Sequence, residues 1–188
     1  MLKPTRLFDL VDLQDNLSPN PKAINAKKDG SWIHYSQADF KRLSDEYALA
    51  LYHAGIVRGD RVAIISTNCP EWNFCDNGIQ KAGAICVPIY PTSSLADFQY
   101  ILHNAEVRIA FVSDKSLYDK ILSVQKDVPS LEAIYCFDNI EGIPHVRDFL
   151  SKADWSQLPM IEDIKSQIKP HDLATIIYTS GTTGNPKG

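Results

Sequence analysis

The sequence predicts an α/β fold: a doubly wound, mainly parallel sheet with helices on both faces. Short apolar runs of strand length alternate along the chain with segments of helical periodicity. The runs are apolar throughout, which is typical of strands buried on both faces. The helical segments between them can serve as the crossovers that parallel strands need. Hydrophobic residues make up 44% and charged residues 22% of the chain, as in ordinary globular proteins.

The N-terminal elements, in residues 1–35, are predicted to be a helix and a hairpin. Two short extended runs flank Asp29 and Gly30, a pair that is typical of tight hairpin turns. Ser36 follows, and Asp39 stands three residues after it. The two side chains are therefore predicted to form a capping box at the start of the next helix.

The central stretch, residues 36–138, is predicted to be a βαβ core. Pro70 suits the first position of a helix, and Ser94 with Asp97 predicts another capped helix. Pro88 lacks an N–H group, which places the end of its strand near the surface or at an edge of the sheet. The predicted strands are the runs RVAIIS, AICVPIY, VRIAFVS and LEAIYCF.

The whole chain, residues 1–188, is predicted to form a single domain. Its C-terminal part divides into two predicted segments. Residues 139–170 are predicted to be a loop-rich excursion over the surface with one or two short helices. Residues 171–188 are predicted to hold the last strand, over 172–179, and a loop, TSGTTGNPKG. Ligands of doubly wound sheets bind at the carboxyl ends of the strands, so this loop is predicted to lie at the ligand edge.

The composition argues against several classes of function. A net charge of −4 and a pI near 5.7 do not suit a nucleic-acid surface, which is usually basic. No C-x-x-C pair is present, so the cysteines are interpreted as buried or half-buried thiols and not as zinc ligands. Neither a signal peptide nor a run near the roughly 18 apolar residues of a membrane span is present. Together these observations predict a cytoplasmic protein. The four cysteines are Cys69, Cys75, Cys86 and Cys136.

The terminal loop carries residues that suit a polyphosphate. Its glycines let the backbone approach a ligand closely, and successive N–H groups in such turns bind anions. Its hydroxyls can donate to phosphate oxygens, and Lys187 adds a positive charge. A solvent-exposed linker is the alternative, but a linker gives no reason for this ordered set directly after an apolar run. A Walker-type P-loop does not fit, because Lys187 follows Pro186 and not a glycine, and no Ser or Thr follows it.

The segment YTSGTTGNPKG, from Tyr178 to Gly188, resembles the phosphate-binding signature of the adenylate-forming superfamily. This superfamily comprises acyl-CoA synthetases, luciferases and the adenylation domains of peptide synthetases. The stretch from Gly55 to Ser94 is similar to the N-terminal region of these synthetases in its pieces GDRVAI, PEW, AGAICVP and YPTSS. The last piece, and FQYILHNAEVRIAFVSD after it, most resemble bacterial long-chain fatty acid–CoA ligases.

The resemblance implies an enzyme that activates a fatty acid with ATP and Mg2+ to acyl-AMP and passes the acyl group to coenzyme A. It implies that Lys187 is a catalytic residue, which steadies the departing pyrophosphate, and that Mg2+ lies near the hydroxyl of Thr179. The partners of this enzyme would be ATP, a fatty acid and coenzyme A, and it would not bind nucleic acid. Whether it contacts a membrane peripherally or forms a homodimer stays open. The implied phosphate-binding residues are Thr179, Ser180, Gly181, Thr182, Thr183, Gly184 and Lys187.

The remaining machinery of the superfamily would lie beyond Gly188. It includes the adenine-binding segment and a small C-terminal domain with a catalytic lysine. The chain is therefore expected to be an N-terminal fragment of a longer ligase and to be inactive alone. Three alternatives stay open. The first is a fatty acyl-AMP ligase, which stops at the adenylate. The second is another acid–CoA ligase, and the third is a non-catalytic module that keeps the fold.

Overall fold

A computed structural model describes residues 4–28, 30–179 and 186–188 of the chain. Helices and strands alternate through this part of the molecule. In chain order they are α1 (Leu7–Leu17), β1 (Ile24–Lys28), β2 (Ser31–Tyr35), α2 (Gln37–His53), β3 (Arg61–Ile65), α3 (Pro70–Lys81), β4 (Ile85–Ile89), α4 (Leu95–Asn104), β5 (Val107–Val112), α5 (Lys115–Gln125), β6 (Ala133–Cys136), α6 (Val146–Leu150), a 3-10 turn (Trp155–Gln157) and α7 (Leu158–Gln167).

The chain divides into two compact units, each built from separate stretches of sequence. The helical unit comprises Met1–Val57, Asn68–Gly83 and Lys152–Asp172. It contains α1, the β1–β2 hairpin, α2, α3 and α7. The sheet unit comprises Arg58–Thr67, Ala84–Ser151 and Leu173–Gly188. It contains the remaining strands and α4, α5 and α6.

The sheet unit is built on four parallel strands in the order β4-β3-β5-β6. Helices α4 and α5 cover one face, where Leu102 and Ile121 are fully buried in one cluster with Ala110 of β5. Phe111 points to the opposite face, because side chains alternate along a strand, and its ring lies 5.3 Å from that of Phe149 in α6. A parallel sheet flanked by helices confirms the predicted α/β fold.

The predicted last strand, over 172–179, is reduced to a single bridge. Cys86 of β4 exchanges two backbone hydrogen bonds, of 3.1 and 2.9 Å, with the segment around Thr175, which runs parallel to it. The next bond on this side of β4 would need an N–H group from Pro88, and proline has none. The structure therefore corrects the prediction of a full strand. It confirms that Pro88 belongs to an edge, since β4 is the outer strand of the sheet.

Local start and stop signals agree with the structure. The Ser36 hydroxyl accepts from the Asp39 N–H at 3.0 Å, and the Asp39 carboxylate accepts from the Ser36 N–H at 2.9 Å, which completes the predicted capping box of α2. Ser94 and Asp97 form the same box for α4. Pro70 is the first residue of α3. These boundaries are set by contacts within three residues, which is why the sequence alone predicts them.

The hairpin is confirmed, and the stretch 139–170 holds more helix than predicted. Strands β1 and β2 pair antiparallel, with Lys28 opposite Ser31. Residues 139–170 contain α6, the 3-10 turn and the ten-residue α7. Phe149 and Ile161 are fully buried, so this stretch contributes to the cores of the units and is not only a surface excursion.

Helices α2 and α3 of the helical unit approach each other closely at Gly78. A Cβ atom at this position would lie 2.3 Å from the Cβ of Tyr47 and 2.8 Å from the carbonyl oxygen of Ser44. Both neighbours belong to the body of α2, so neither can move without shifting the helix. Only a glycine allows this crossing.

Gly78→Ala is therefore expected to destabilise the chain by about 1–3 kcal/mol, the usual cost of overpacking a core. The higher helix propensity of alanine, worth about 1 kcal/mol, should not compensate. Urea unfolding followed by circular dichroism measures the change. Asn73→Ala, at an exposed position of the same helix, is the control and should stay within about 0.5 kcal/mol of wild type. A Gly78→Ala protein as stable as this control would contradict the close crossing.

Asp9 stabilises the start of α1 through its charge. Burial alone would raise the pKa of Asp9. Hydrogen bonds from the Arg6 side chain and the backbone of Thr5 and Arg6, with the Arg6 charge, lower this pKa from 3.8 to about 2. The guanidinium Nη2 lies 2.7 Å from the carboxylate. Because the pKa is lower in the folded state, the stabilisation is complete above the unfolded value of 3.8 and is lost as the pH falls toward 2.

Asp9→Asn should consequently lower the urea midpoint near neutral pH and have a much smaller effect near pH 2. The comparison requires unfolding curves of both proteins at several pH values across this window. Asp119→Asn, at an exposed position of α5, serves as the control. An Asp9→Asn effect that does not change with pH would show that the Asp9 charge does not stabilise α1.

A network of buried charges joins four helices of the helical unit. The Lys81 side chain is fully buried, and its ammonium lies 3.0 Å from Asp12 of α1 and 2.8 Å from Asp45 of α2. Lys165 of α7 contacts Asp12 at 2.8 Å, and Lys41 contacts Asp45 at 2.9 Å. Burial alone would raise the pKa of Asp12, but the charges of Lys81 and Lys165 and their hydrogen bonds lower it. Asp12 and Asp45 thus each face two ammonium groups.

Candidate phosphate-binding site

Two of the predicted phosphate-binding residues lie opposite each other at the base of the terminal loop. The N–H of Thr179 donates to the carbonyl of Lys187 at 2.9 Å, and the N–H of Lys187 donates to the carbonyl of Thr179 at 3.0 Å. This antiparallel pair closes the loop between them. The predicted residues Ser180, Gly181, Thr182, Thr183 and Gly184 lie outside the described residues, so their role stays a prediction.

Two side-chain groups of the stem are accessible. Thr179 and Lys187 are both exposed. Their backbone groups are used in the pair, so the hydroxyl of Thr179 and the ammonium of Lys187 are the groups that can reach a ligand. A flexible ammonium group is a point charge suited to phosphate oxygens, and a hydroxyl can donate to them.

Tyr178, the residue before the stem, is held by α4. Its hydroxyl donates to the Asn104 side-chain oxygen at 2.6 Å. Its ring lies edge-to-face with that of Tyr100, with 6.5 Å between centroids and an interplanar angle of 88°. Burial and the neighbouring Tyr100 raise the pKa of Tyr178, so the phenol stays protonated near neutral pH. The prediction that the loop lies at the carboxyl ends of the strands is wrong for its described stem. Tyr178 and Gly188 lie beside Asn104 at the end of α4 and beside Arg61 at the start of β3, which is the amino edge of the sheet.

Gly188 lies against the ring of Tyr178. A Cβ atom there would be 2.9 Å from two ring carbons and 2.7 Å from the Cγ2 of Ile176. A Cβ atom at this position would therefore require the Tyr178 ring or the Ile176 side chain to shift. Sequence reasoning did not single out Asn104 or Tyr100. Their spacing of four residues puts them on one helix face, but no motif indicates which segment that face contacts.

The described residues contain no group of three or more His, Cys, Asp or Glu side chains that could hold a metal ion. Mg2+ is usually bound through one or two carboxylates together with substrate phosphates and waters. At the stem, Thr179 could contribute only a hydroxyl. The assignment of Thr179 to Mg2+ stays a prediction.

The burial of the cysteines and the character of the helices can be compared with the predictions made from the sequence. Cys75, Cys86 and Cys136 are buried and Cys69 is half-buried, and none forms a disulfide. Among the helices in the described part of the chain, none has the length and apolar character needed to span a membrane.

Comparisons with known proteins find relatives over nearly the whole chain. The family model described as AMP-binding enzyme matches residues 13–188. The long-chain-fatty-acid–CoA ligase ACSBG1 of Rattus norvegicus is 30% identical over 96% of this chain and 25% of its own length. FadD15 of Mycobacterium bovis, also a long-chain-fatty-acid–CoA ligase, is 35% identical over 85% of this chain and 26% of its own length. The chain spans about a quarter of the length of these curated relatives.

Solved structures show the same fold. A fatty acyl CoA synthetase of Mycobacterium tuberculosis matches with a TM-score of 0.77 at 21% identity, over 98% of this chain and 34% of that one. A long-chain-fatty-acid-CoA ligase from Archaeoglobus fulgidus matches with a TM-score of 0.75 at 18% identity, over 100% of this chain and 37% of that one. At these identities the likeness concerns the fold alone.

Proposed function

Because the chain belongs to the AMP-binding enzyme family, we propose that it is the N-terminal part of a long-chain fatty acid–CoA ligase. The observation that carries the proposal is the identity of 30–35% to long-chain fatty acid–CoA ligases over 85–96% of the chain. The closed stem with an exposed Lys187 supports it, because this reaction begins on a polyphosphate.

In the proposed reaction a fatty acid carboxylate attacks the α-phosphorus of ATP. A bond forms from the carboxylate oxygen to phosphorus, and the bond from phosphorus to the oxygen that bridges to the β-phosphate breaks. Pyrophosphate leaves with that electron pair, and acyl-AMP remains. The thiolate of coenzyme A then displaces AMP from the acyl carbon. Acyl transfer of this kind depends largely on positioning and on stabilising charge.

The residues of this chain would act in the first step. Lys187 would contact the charge that accumulates on pyrophosphate, through a charge-assisted contact. The Thr179 hydroxyl would donate to a phosphate oxygen. The pair between Thr179 and Lys187 would hold these two groups on opposite sides of the loop, so that both reach one polyphosphate. The segment Ser180–Gly184 would supply the remaining phosphate contacts.

The test uses the protein translated from the complete reading frame that contains these 188 codons. With ATP, Mg2+, coenzyme A and a series of fatty acids, it should form acyl-CoA, with the highest kcat/KM for long chains. Accumulation of acyl-AMP without acyl-CoA would indicate a fatty acyl-AMP ligase instead. A preference for aryl or medium-chain acids would indicate another ligase of the family. No product with any acid would refute the proposal.

The 188-residue chain alone is proposed to be inactive, since relatives use about four times its length. Purified chain incubated with ATP, fatty acid and coenzyme A should form neither acyl-AMP nor acyl-CoA. Turnover that persists through repeated purification would contradict this. A cytoplasmic location is proposed for the complete enzyme, and cell fractionation tests it.

A further inference from the structure

We propose that Asn104 is a positioning residue for the phosphate-binding loop: it holds Tyr178, whose ring in turn supports the loop stem at Gly188. This inference rests on the proposed function, because it concerns how the same loop is held for ATP. Asn104 is the last residue of α4 and lies 74 residues before Tyr178, outside the glycine-rich motif.

The first link runs from α4 to Tyr178. The 2.6 Å hydrogen bond to Asn104 fixes the hydroxyl end of the side chain, and the edge-to-face contact with Tyr100 fixes the plane of the ring. Tyr178 also packs on the apolar cluster between the sheet and α4. Phenylalanine in its place would keep the packing but lose the bond that determines how the ring tilts.

The second link runs from the ring to the loop stem. The backbone of Gly188 lies so close to Tyr178 that a Cβ atom would come within 2.9 Å of two ring carbons. Lys187 directly precedes Gly188, and its backbone forms the pair with Thr179. A tilt of the ring therefore displaces Gly188 and, with it, the point from which the Lys187 side chain extends. Asn104 acts on the loop only through Tyr178.

Three substitutions in the complete ligase separate this role from general stability. Asn104→Leu removes the acceptor oxygen and puts a side chain of similar size in its place. Asn104→Asp keeps an acceptor oxygen, and Tyr178→Phe removes the donor hydroxyl. Asn104→Leu and Tyr178→Phe should each raise the KM for ATP about fivefold, the equivalent of one hydrogen bond, and leave the KM for coenzyme A unchanged. Asn104→Asp should restore a near-normal KM for ATP. The double substitution should be no worse than either single one, because both remove the same bond.

A second measurement does not depend on activity. In the 188-residue chain, the amides of Thr179 and Lys187 should exchange with solvent deuterium faster in Asn104→Leu than in wild type, whereas Asn104→Asp should exchange as wild type does. Unchanged exchange in Asn104→Leu overturns the inference. Equal increases in the KM for ATP and for coenzyme A also overturn it, since they indicate a general loss of structure. If the wild-type ligase forms no acyl-AMP, the proposed function fails by itself, and amide exchange then decides whether Asn104 holds the loop.

Discussion

In the proposed full-length ligase, Lys187→Ala should slow acyl-AMP formation by about 100-fold or more and leave the transfer from acyl-AMP to coenzyme A nearly unchanged. Removing one preorganised group that stabilises developing charge typically costs about 2.7–4 kcal/mol in the transition state. Lys187 is exposed at the stem, and its proposed role is to contact the leaving pyrophosphate with its ammonium. That charge is present only in the first half-reaction.

The two half-reactions can be measured separately. Isotope exchange between pyrophosphate and ATP reports the first, and synthetic acyl-AMP supplied with coenzyme A reports the second. Lys187→Arg should retain part of the first activity, since the positive charge is kept but the compact ammonium is lost. Lys169→Ala, which removes another exposed lysine, is the matched control and should behave as wild type. Equal slowing of both half-reactions would show that Lys187 does not act on pyrophosphate.

Lys81→Ala should destabilise the chain by about 3 kcal/mol. Removing one partner of a buried ion pair typically costs about 3–5 kcal/mol, because the remaining charge stays buried without compensation. The Asp45 side chain is only 3% exposed and would keep Lys41 as its one ammonium contact among those described. Asp12 would keep Lys165. These remaining contacts place the expected loss at the lower end of the range.

Lys41→Ala is the matched control for Lys81. It removes a contact to the same Asp45, but the Lys41 side chain is 34% exposed, and such pairs contribute about 0–1 kcal/mol. Urea midpoints of the two variants, with unchanged m-values, give the comparison. Similar small losses of unfolding free energy in both variants would mean that water replaces the missing ammonium contact to the carboxylates. Similar large losses of unfolding free energy would mean that both ammonium groups stabilise the Asp45 carboxylate to the same extent.

Features that depend on neighbouring residues could be predicted from the sequence. The capping boxes of α2 and α4 and the start of α3 at Pro70 depend on groups no more than three residues apart. The parallel sheet followed from apolar runs separated by helical segments, and the family followed from YTSGTTGNPKG and the stretch from Gly55 to Ser94. For the candidate site, the motif predicted Thr179 and Lys187, and the structure pairs them across the loop.

Features that depend on contacts between distant residues were decided only by the tertiary structure. The sequence determined where α2, α3 and α4 begin and which chemistry the terminal loop suits. It did not indicate that Lys81 is buried between carboxylates 36 and 69 residues away, or that Asn104 holds Tyr178 across 74 residues. Nor did it indicate that the missing N–H group of Pro88 would face the final segment and limit its pairing to one bridge. The physical reason is that local preferences act over a turn of chain, whereas burial and pairing depend on which surfaces the packed elements bring together.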